Sequence, residues 1–163
     1  MYLARAVHFD ESDSRIFHRP AVTGEWAISG GFEFSNWTDA DLSGKARQAF
    51  ANGWLGLDSF GRVTFVAVTR ITPGECAALT HRLAGHFVSH YGAPSIDVAL
   101  PVAGEEMRHM TDLCADHDPN TVLTVARSLT SAGVREEYRW IRPQETRLQA
   151  FAVHASPDGG GQS

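Results

Sequence analysis

The chain has 163 residues, of which 43% are hydrophobic and 20% are charged, and its formal net charge at pH 7 is -5. This length is typical of one ordinary domain, and the composition is that of a globular protein rather than a disordered one. The negative charge disfavours non-specific binding to nucleic acid or to an anionic membrane surface.

Alternating apolar and polar residues predict strands in the first part of the chain. Residues 2–9 form the first of them, and a polar turn separates it from a short partner strand over residues 15–18. Residues 25–35 form a longer amphipathic strand. Gly30 and Gly31 interrupt this strand without breaking its alternation, so they allow a bend, a bulge or the close approach of another backbone.

The first predicted helix and the strand after it occupy residues 38–71. Thr38 can cap a helix that ends at Gly53. Trp54 follows this glycine, and a large apolar residue in that position commonly packs back on the last helical turn. Residues 62–71 are apolar at both even and odd positions, which indicates a central strand covered on both faces. A helical layer must therefore lie against this strand.

Two further helices are predicted to supply that layer. Residues 72–75 combine an N-cap threonine, a first-turn proline and a capping-box glutamate. The helix that begins there is predicted to end at residue 91, before a glycine. Residues 95–100 alternate as a strand does, and the spacing of apolar residues predicts the third helix over residues 104–116.

A hairpin is predicted near the end of the chain. Two strands are predicted over residues 121–129 and 134–141. The four residues between them have the number and composition typical of a hairpin connection. In the second strand Val134, Tyr138 and Trp140 face one side, and charged residues face the other. Residues 146–154 then form either a last strand, which we favour, or a short helix.

Strands at both ends with helices only in the middle predict an α+β fold, a mostly antiparallel sheet with about three helices packed on it. We expect a single domain over residues 1–155 and a disordered tail over residues 156–163. No apolar run reaches the roughly 20 residues of a membrane span, and the first residues lack a signal-peptide pattern. A cytoplasmic protein is therefore predicted, with Cys76 and Cys114 as reduced core thiols.

The motifs of several large enzyme classes are missing from the sequence. The only lysine, Lys45, does not stand in a Walker loop, and neither a dinucleotide-binding glycine motif nor a nucleophile elbow occurs. The two cysteines are too far apart in sequence for a Cys-x-x-Cys site. The sequence thus implies no cofactor and gives no catalytic residues.

Histidine is the one enriched residue type that can bind a metal or take part in acid–base chemistry, and the chain has eight histidines. His86 and His90 are four residues apart on the second helix, so they share one face and can chelate a divalent metal when a third ligand arrives. Glu105 and His109 repeat this spacing and could complete the site if the two helices are neighbours. The alternative is a set of ordinary histidines on partly exposed helix faces, with a Glu–His pair that contributes about 0.2–0.5 kcal/mol.

Trp37 is the tryptophan that the sequence pattern places least clearly in the core. It lies between a strand and a helix cap, which makes it a candidate for a pocket or for a subunit contact. Gly30 and Gly31 precede it in sequence. They either only bend the sheet or leave room for a ligand or a second subunit.

The runs GEWAISGGFEFSNW at residues 24–37, RQAFANGWLG at 47–56 and SFGR at 59–62 resemble an uncharacterised family of small bacterial proteins. The resemblance covers most of the chain except its tail. It implies no activity and no catalytic residues. It does imply accessory work, such as the maturation of another enzyme, because these proteins are associated with gene neighbourhoods that contain lipoate-ligase-like and molybdoenzyme-maturation proteins.

Two functional hypotheses follow, and the sequence alone does not identify a ligand. The first is a non-catalytic accessory or binding protein that forms a homodimer and can also bind another protein. Under this hypothesis it binds neither nucleic acid nor membrane. The alternative is a metal-dependent enzyme or metal-binding protein that uses the helix histidines.

Overall fold

The computed structural model describes residues 1–9 and 15–142. Within these residues, seven strands are β1 (Tyr2–Val7), β2 (Trp26–Ile28), β3 (Trp54–Gly56), β4 (Arg62–Val63), β5 (Phe65–Arg70), β6 (Val122–Thr130) and β7 (Gly133–Ile141). The α-helices are α1 (Gly44–Asn52), α2 (Pro73–His90) and α3 (Ile96–Ala115), and two short 3₁₀ helices cover Gly31–Phe34 and Asp39–Asp41.

All strand pairs are antiparallel, and the sheet order is β4-β3-β2-β1-β5-β6-β7. The sheet curls into a half-barrel. α2 and α3 pack against each other, and α3 lies against β1 and β2, whereas α1 lies against β6. This arrangement confirms the predicted α+β class, with a mostly antiparallel sheet and three helices. No helix in the described residues is long and apolar enough to cross a membrane.

The strand predicted over residues 25–35 is wrong beyond Ile28, where β2 ends. The cause is Gly30, whose φ of 71° lies in the left-handed region and turns the chain into the first 3₁₀ helix. A Cβ atom at this position would collide with Cβ of Leu55. The bend and the close approach expected at the glycine pair therefore both occur, but the strand does not continue through them.

The strand predicted over residues 95–100 is also wrong, and the third helix begins earlier than expected. Ser95 caps α3, because its Oγ accepts a hydrogen bond of 3.2 Å from the backbone N–H of Val98. Pro101 stands inside this helix. The buried residues of α3 recur at helical spacing and are Ala99, Ala103, Met107, Met110 and Cys114.

Smaller corrections concern three segments. Arg15 and Ile16 are helical rather than extended, so no strand forms over residues 15–18 and β1 pairs with β2 and β5 instead. Thr38 caps only the second 3₁₀ helix, and α1 starts after Ser43. Trp54 lies in β3, where it is fully buried and its ring stacks on Tyr138 with 5.9 Å between ring centroids.

Several local predictions are confirmed. Thr72 and Glu75 form the expected capping box of α2, which ends one residue before Tyr91. β5 lies centrally in the sheet between β1 and β6, although only Val66 and Val68, on one of its faces, are fully buried, so it is not equally covered on both faces as predicted. Both cysteines are free thiols. The segment 146–154 and the tail over residues 156–163 lie outside the described residues.

The predicted hairpin is β6 and β7, and its register determines which side chains share a face. Leu129 pairs with Val134, so Arg127 pairs with Glu136 further along the ladder. Residues that lie directly opposite each other in an antiparallel pair point to the same side. The buried face of β6 therefore carries a charged pair among its apolar residues.

Candidate functional site

A cleft lies between α3 and one face of β7, and we call it the α3–β7 cleft. It consists of two cavities of about 420 and 690 Å3 that share Tyr138 as a wall. α3 and the residues after it supply Glu106, His109, Leu113, Asp116, His117 and Asp118, and the strand side supplies Val134, Glu136, Tyr138, Trp140 and Arg142. Glu106, His109 and Leu113 recur at helical spacing, so they share one face of α3. The residues from β7 are two positions apart, so they share one face of the strand and line the opposite side of the cleft.

A chain of hydrogen bonds forms one wall of the cleft. The Tyr138 hydroxyl donates to Oε1 of Glu136. Because this proton is engaged, the Tyr138 oxygen accepts the 2.8 Å bond from Nε2–H of His109. The other carboxylate oxygen of Glu136 accepts from Ser29 Oγ at 2.6 Å and from Arg127 Nε at 2.7 Å. Both oxygens of this carboxylate are therefore occupied.

Two buried arginines stand behind this wall. Arg127 is 6% exposed and donates to the backbone oxygens of Ser29, Phe50 and Gly53. Arg62, 5% exposed, similarly donates to the backbone oxygens of residues 29, 30 and 53. These bonds satisfy carbonyl groups where irregular backbone is buried, which is why the two guanidinium groups are stable there.

The pKa values of the two glutamates in the cleft, Glu106 and Glu136, are shifted in opposite directions. Burial raises the pKa of Glu106, and the nearby charges of Glu136 and Glu105 raise it further against the opposing influence of His109. Burial also acts to raise the pKa of Glu136, but the Arg127 charge and three hydrogen bonds hold it below its ordinary value. Glu106 has no hydrogen bond or ion pair with any of the described residues. It is therefore a half-buried carboxylate that lines the cleft without a hydrogen-bond partner among the described residues.

Of the residues predicted as a ligand or subunit contact, one lines the cleft. Gly31 does so, and a Cβ atom there would collide with the carboxylate of Glu136. Gly30 turns the chain just before it. Trp37 lies elsewhere, stacked on Phe50 with 6.4 Å between ring centroids, and it lines a separate cavity of about 270 Å3.

The four residues proposed as metal ligands fall into separate environments. The rings of His86 and His90 lie 4.6 Å apart, as their spacing predicted. Glu105 forms an ion pair with Arg108, one turn along α3, and His109 is hydrogen-bonded to Tyr138. Among the described residues, no group of three or more His, Cys, Asp or Glu side chains could hold a metal ion. The metal hypothesis stays a prediction, and elemental analysis of protein purified without a tag would test it.

Sequence reasoning missed the central members of the site, although one signal was present. The predicted hairpin, with a four-residue connection, already pairs residue 129 with 134 and therefore Arg127 with Glu136. A charged pair on the apolar face of a hairpin indicates a buried polar network rather than a solvated face. The contact of Tyr138 with His109 had no such signal, since it depends on how α3 crosses the sheet.

Comparisons with known proteins give a family but no relative of known function. No curated protein and no solved structure matches the chain. The family model described as "Family of unknown function (DUF6505)" matches residues 1–159. This match confirms the resemblance to a family without an assigned activity. The chain belongs to DUF6505, a family of unknown function.

Proposed function

We propose that the protein is a non-catalytic binding protein with an accessory role, and that it holds a small amine-bearing molecule in the α3–β7 cleft. The observation that carries this proposal is the half-buried carboxylate of Glu106, which has no hydrogen bond or ion pair among the described residues and lines the same cavity as a wall of mutually bonded side chains. An ammonium group placed there supplies the donors and the positive charge that this carboxylate lacks.

The protonation properties of the wall favour binding over acid–base catalysis. The lowered pKa of Glu136 makes it a weak base, and both of its oxygens already accept hydrogen bonds. Burial and the neighbouring Glu136 raise the pKa of Tyr138, which makes its hydroxyl a weak acid. Side chains that already hold one another in place form a preorganised surface, which lowers the entropic cost of binding a ligand.

Charge, aromatic surface and size agree with an amine. Besides Glu106, the cleft carries Asp116 and Asp118 near its far end, where Arg142 is the arginine among the lining residues. Trp140 is 53% exposed and, with Tyr138, offers ring faces over which a cation can lie. The cavities of about 420 and 690 Å3 fall within the roughly 300–1000 Å3 range of small-molecule sites.

Glu106→Gln is expected to raise the melting temperature. The pKa of this carboxyl is raised in the folded state, so its ionised form destabilises the fold. That destabilisation is absent at pH values below the ordinary pKa of 4.5 and develops as the pH rises through and above it. The neutral amide removes it, so thermal unfolding followed by circular dichroism should show a larger gain at pH 8 than at pH 4. Equal gains at both pH values would contradict the desolvated carboxylate.

The same variant tests the ligand. Isothermal titration with putrescine, spermidine and benzylamine is expected to show binding to the native chain, and their N-acetyl derivatives should bind far more weakly. Glu106→Gln should weaken amine binding at least about tenfold, which corresponds to about 1.4 kcal/mol. Glu137→Gln, on the opposite and exposed face of β7, is the matched control and should change affinity less than about twofold. Equal affinity for amines and N-acetyl derivatives would refute the proposal.

The homodimer, the maturation of another enzyme and the cytoplasmic location remain parts of the same proposal. Exposed apolar side chains around the turn between α2 and α3 support a protein contact, and they are Tyr91, Ile96, Val98 and Val102. Neighbouring exposed apolar residues often mark interfaces. Size-exclusion chromatography with light scattering should give twice the mass of one chain, and a monomer at all concentrations would contradict the dimer.

A further inference from the structure

A second cavity, the Trp37 pocket, shares no lining residue with the α3–β7 cleft and has aromatic walls. Its volume is about 270 Å3, and Phe34, Trp37 and Phe60 line it. The ring of Phe34 meets Trp37 edge-on at 4.8 Å, and the ring of His86 stacks on Phe60 at 3.7 Å and 2°. These contacts hold the rings in place without a ligand, so the pocket is preformed.

Phe60 adopts a backbone conformation that bulky residues rarely take. Its φ is 56°, in the left-handed region. Such strain persists only where the surrounding structure enforces it, and it is concentrated at ligand clamps and other functional positions. Here it places an aromatic ring at the pocket, next to Gly61, whose backbone packs against the carbonyl groups of Arg19 and Pro20.

The pocket is positively charged although the chain is acidic. Arg19, Lys45 and Arg62 line it, against the single carboxylate of Glu33. Arg62 is fixed at the floor by its 2.5 Å ion pair with Glu33 and by backbone carbonyls. Within the part of the chain that the structure describes, neither Arg19 nor Lys45 forms an ion pair. Both exposed cations can therefore meet an incoming anion.

Charge and shape together define a class of ligand. Arginine and lysine bind carboxylate and phosphate groups with charge-assisted hydrogen bonds. The aromatic walls accommodate a flat ring, which prefers stacked or edge-on contacts with them. The volume of about 270 Å3 lies just below the roughly 300–1000 Å3 range of drug-sized ligands, which limits the ligand to about one ring.

We propose that the Trp37 pocket is a binding site for a single-ring aromatic anion. The ring lies between Trp37 and Phe60, and the carboxylate or phosphate group lies at Arg19 and Lys45. This site does not depend on the amine proposed for the α3–β7 cleft, because the two sites differ in position and in the sign of their charge.

Isothermal titration of the full chain with benzoate, phenyl phosphate, benzamide and inorganic phosphate tests the proposal. At least one aromatic anion is expected to bind ten times or more tightly than benzamide and than inorganic phosphate, and the stronger of the two identifies the anionic group. Three results would overturn the proposal. The first is that benzamide binds as tightly as both aromatic anions, and the second is that inorganic phosphate binds as tightly as phenyl phosphate. The third is that neither aromatic anion binds.

Variants locate the site. The double variant Arg19→Gln with Lys45→Gln alters two exposed side chains, so it should fold normally, and it should lose at least tenfold in affinity for the aromatic anion. Arg47→Gln on α1 is the matched control, since Arg47 is exposed and does not line the pocket, and it should change affinity less than twofold. Unchanged binding by the double variant would overturn the assignment. Glu106→Gln should leave this affinity unchanged, which separates the site from the cleft.

Discussion

Arg127→Met is expected to lower the free energy of unfolding by about 3–5 kcal/mol at pH 7, the usual cost of removing one partner of a buried ion pair. The variant leaves Glu136 inside the fold without its guanidinium partner. It also removes the Arg127 donor from the backbone oxygen of Phe50, whereas the oxygens of Ser29 and Gly53 keep their bonds from Arg62. Methionine fills much of the same volume, so lost packing contributes little. Urea unfolding followed by circular dichroism measures the change.

The variant should also reverse part of the pH dependence of stability. In the native chain the pKa of Glu136 is below its ordinary value, so this residue stabilises the fold above the unfolded pKa and loses that contribution as the pH falls. Without Arg127, only the hydrogen bonds from Ser29 and Tyr138 oppose burial, so the pKa of Glu136 should rise and its ionised form should stabilise the fold less as the pH rises.

Two further variants check the cause. Arg127→Met combined with Glu136→Gln should recover part of the loss, because no uncompensated charge remains. Arg135→Met removes an exposed arginine whose ion pair with Glu137 is 3.3 Å long, and it should change stability by less than about 1 kcal/mol. A similar loss in both single variants would show that burial of Arg127 is not the reason.

Gly30→Ala is expected to cost about 2–5 kcal/mol, from the left-handed backbone together with an overpacked contact. The new Cβ atom would collide with Cβ of Leu55 and lie 2.9 Å from Nη1 of Arg62. Leu55 is 1% exposed and its Cβ is attached to a β-strand, so the contact cannot relax by rotation of a flexible side chain.

Gly92→Ala provides the matched control for Gly30. Gly92 has a φ of 75°, close to the 71° of Gly30, but a Cβ atom there would meet nothing within 4 Å. Only the backbone cost of about 1–2 kcal/mol then applies. The difference between the two variants in urea unfolding therefore measures the contacts with Leu55 and Arg62, and equal losses would show that these contacts are unimportant.

The elements that were predicted correctly have signals confined to neighbouring residues. The capping box at Thr72 and Glu75 and the hairpin of β6 and β7 are examples. The strand over residues 25–35 failed because its alternation is compatible with a turn at Gly30, and the choice depends on Leu55, which is distant in sequence. The strand predicted over residues 95–100 failed because Ile96 and Val98 alternate as in a strand, although both are exposed residues of α3.

The same distinction applies to the candidate site. His109 and Gly31 were singled out individually, and the structure places both in the cleft. The pairing of Arg127 with Glu136 follows from the hairpin register and could have been predicted. Glu106 could not, because its desolvation depends on how α3 packs over the sheet, which no local pattern in the sequence encodes.

The hydrogen bonds of Arg127 have a consequence for the order of folding. They join this residue to Gly53, 74 positions away, and to Ser29, 98 positions away. Contacts between such distant segments carry a large loop-closure cost and form slowly. The hairpin can form early from its own residues, but Glu136 gains its final position only when β2 and the end of α1 have arrived. Ligand capture in the cleft would thus report completion of the fold, and a partly folded chain would remain unable to bind.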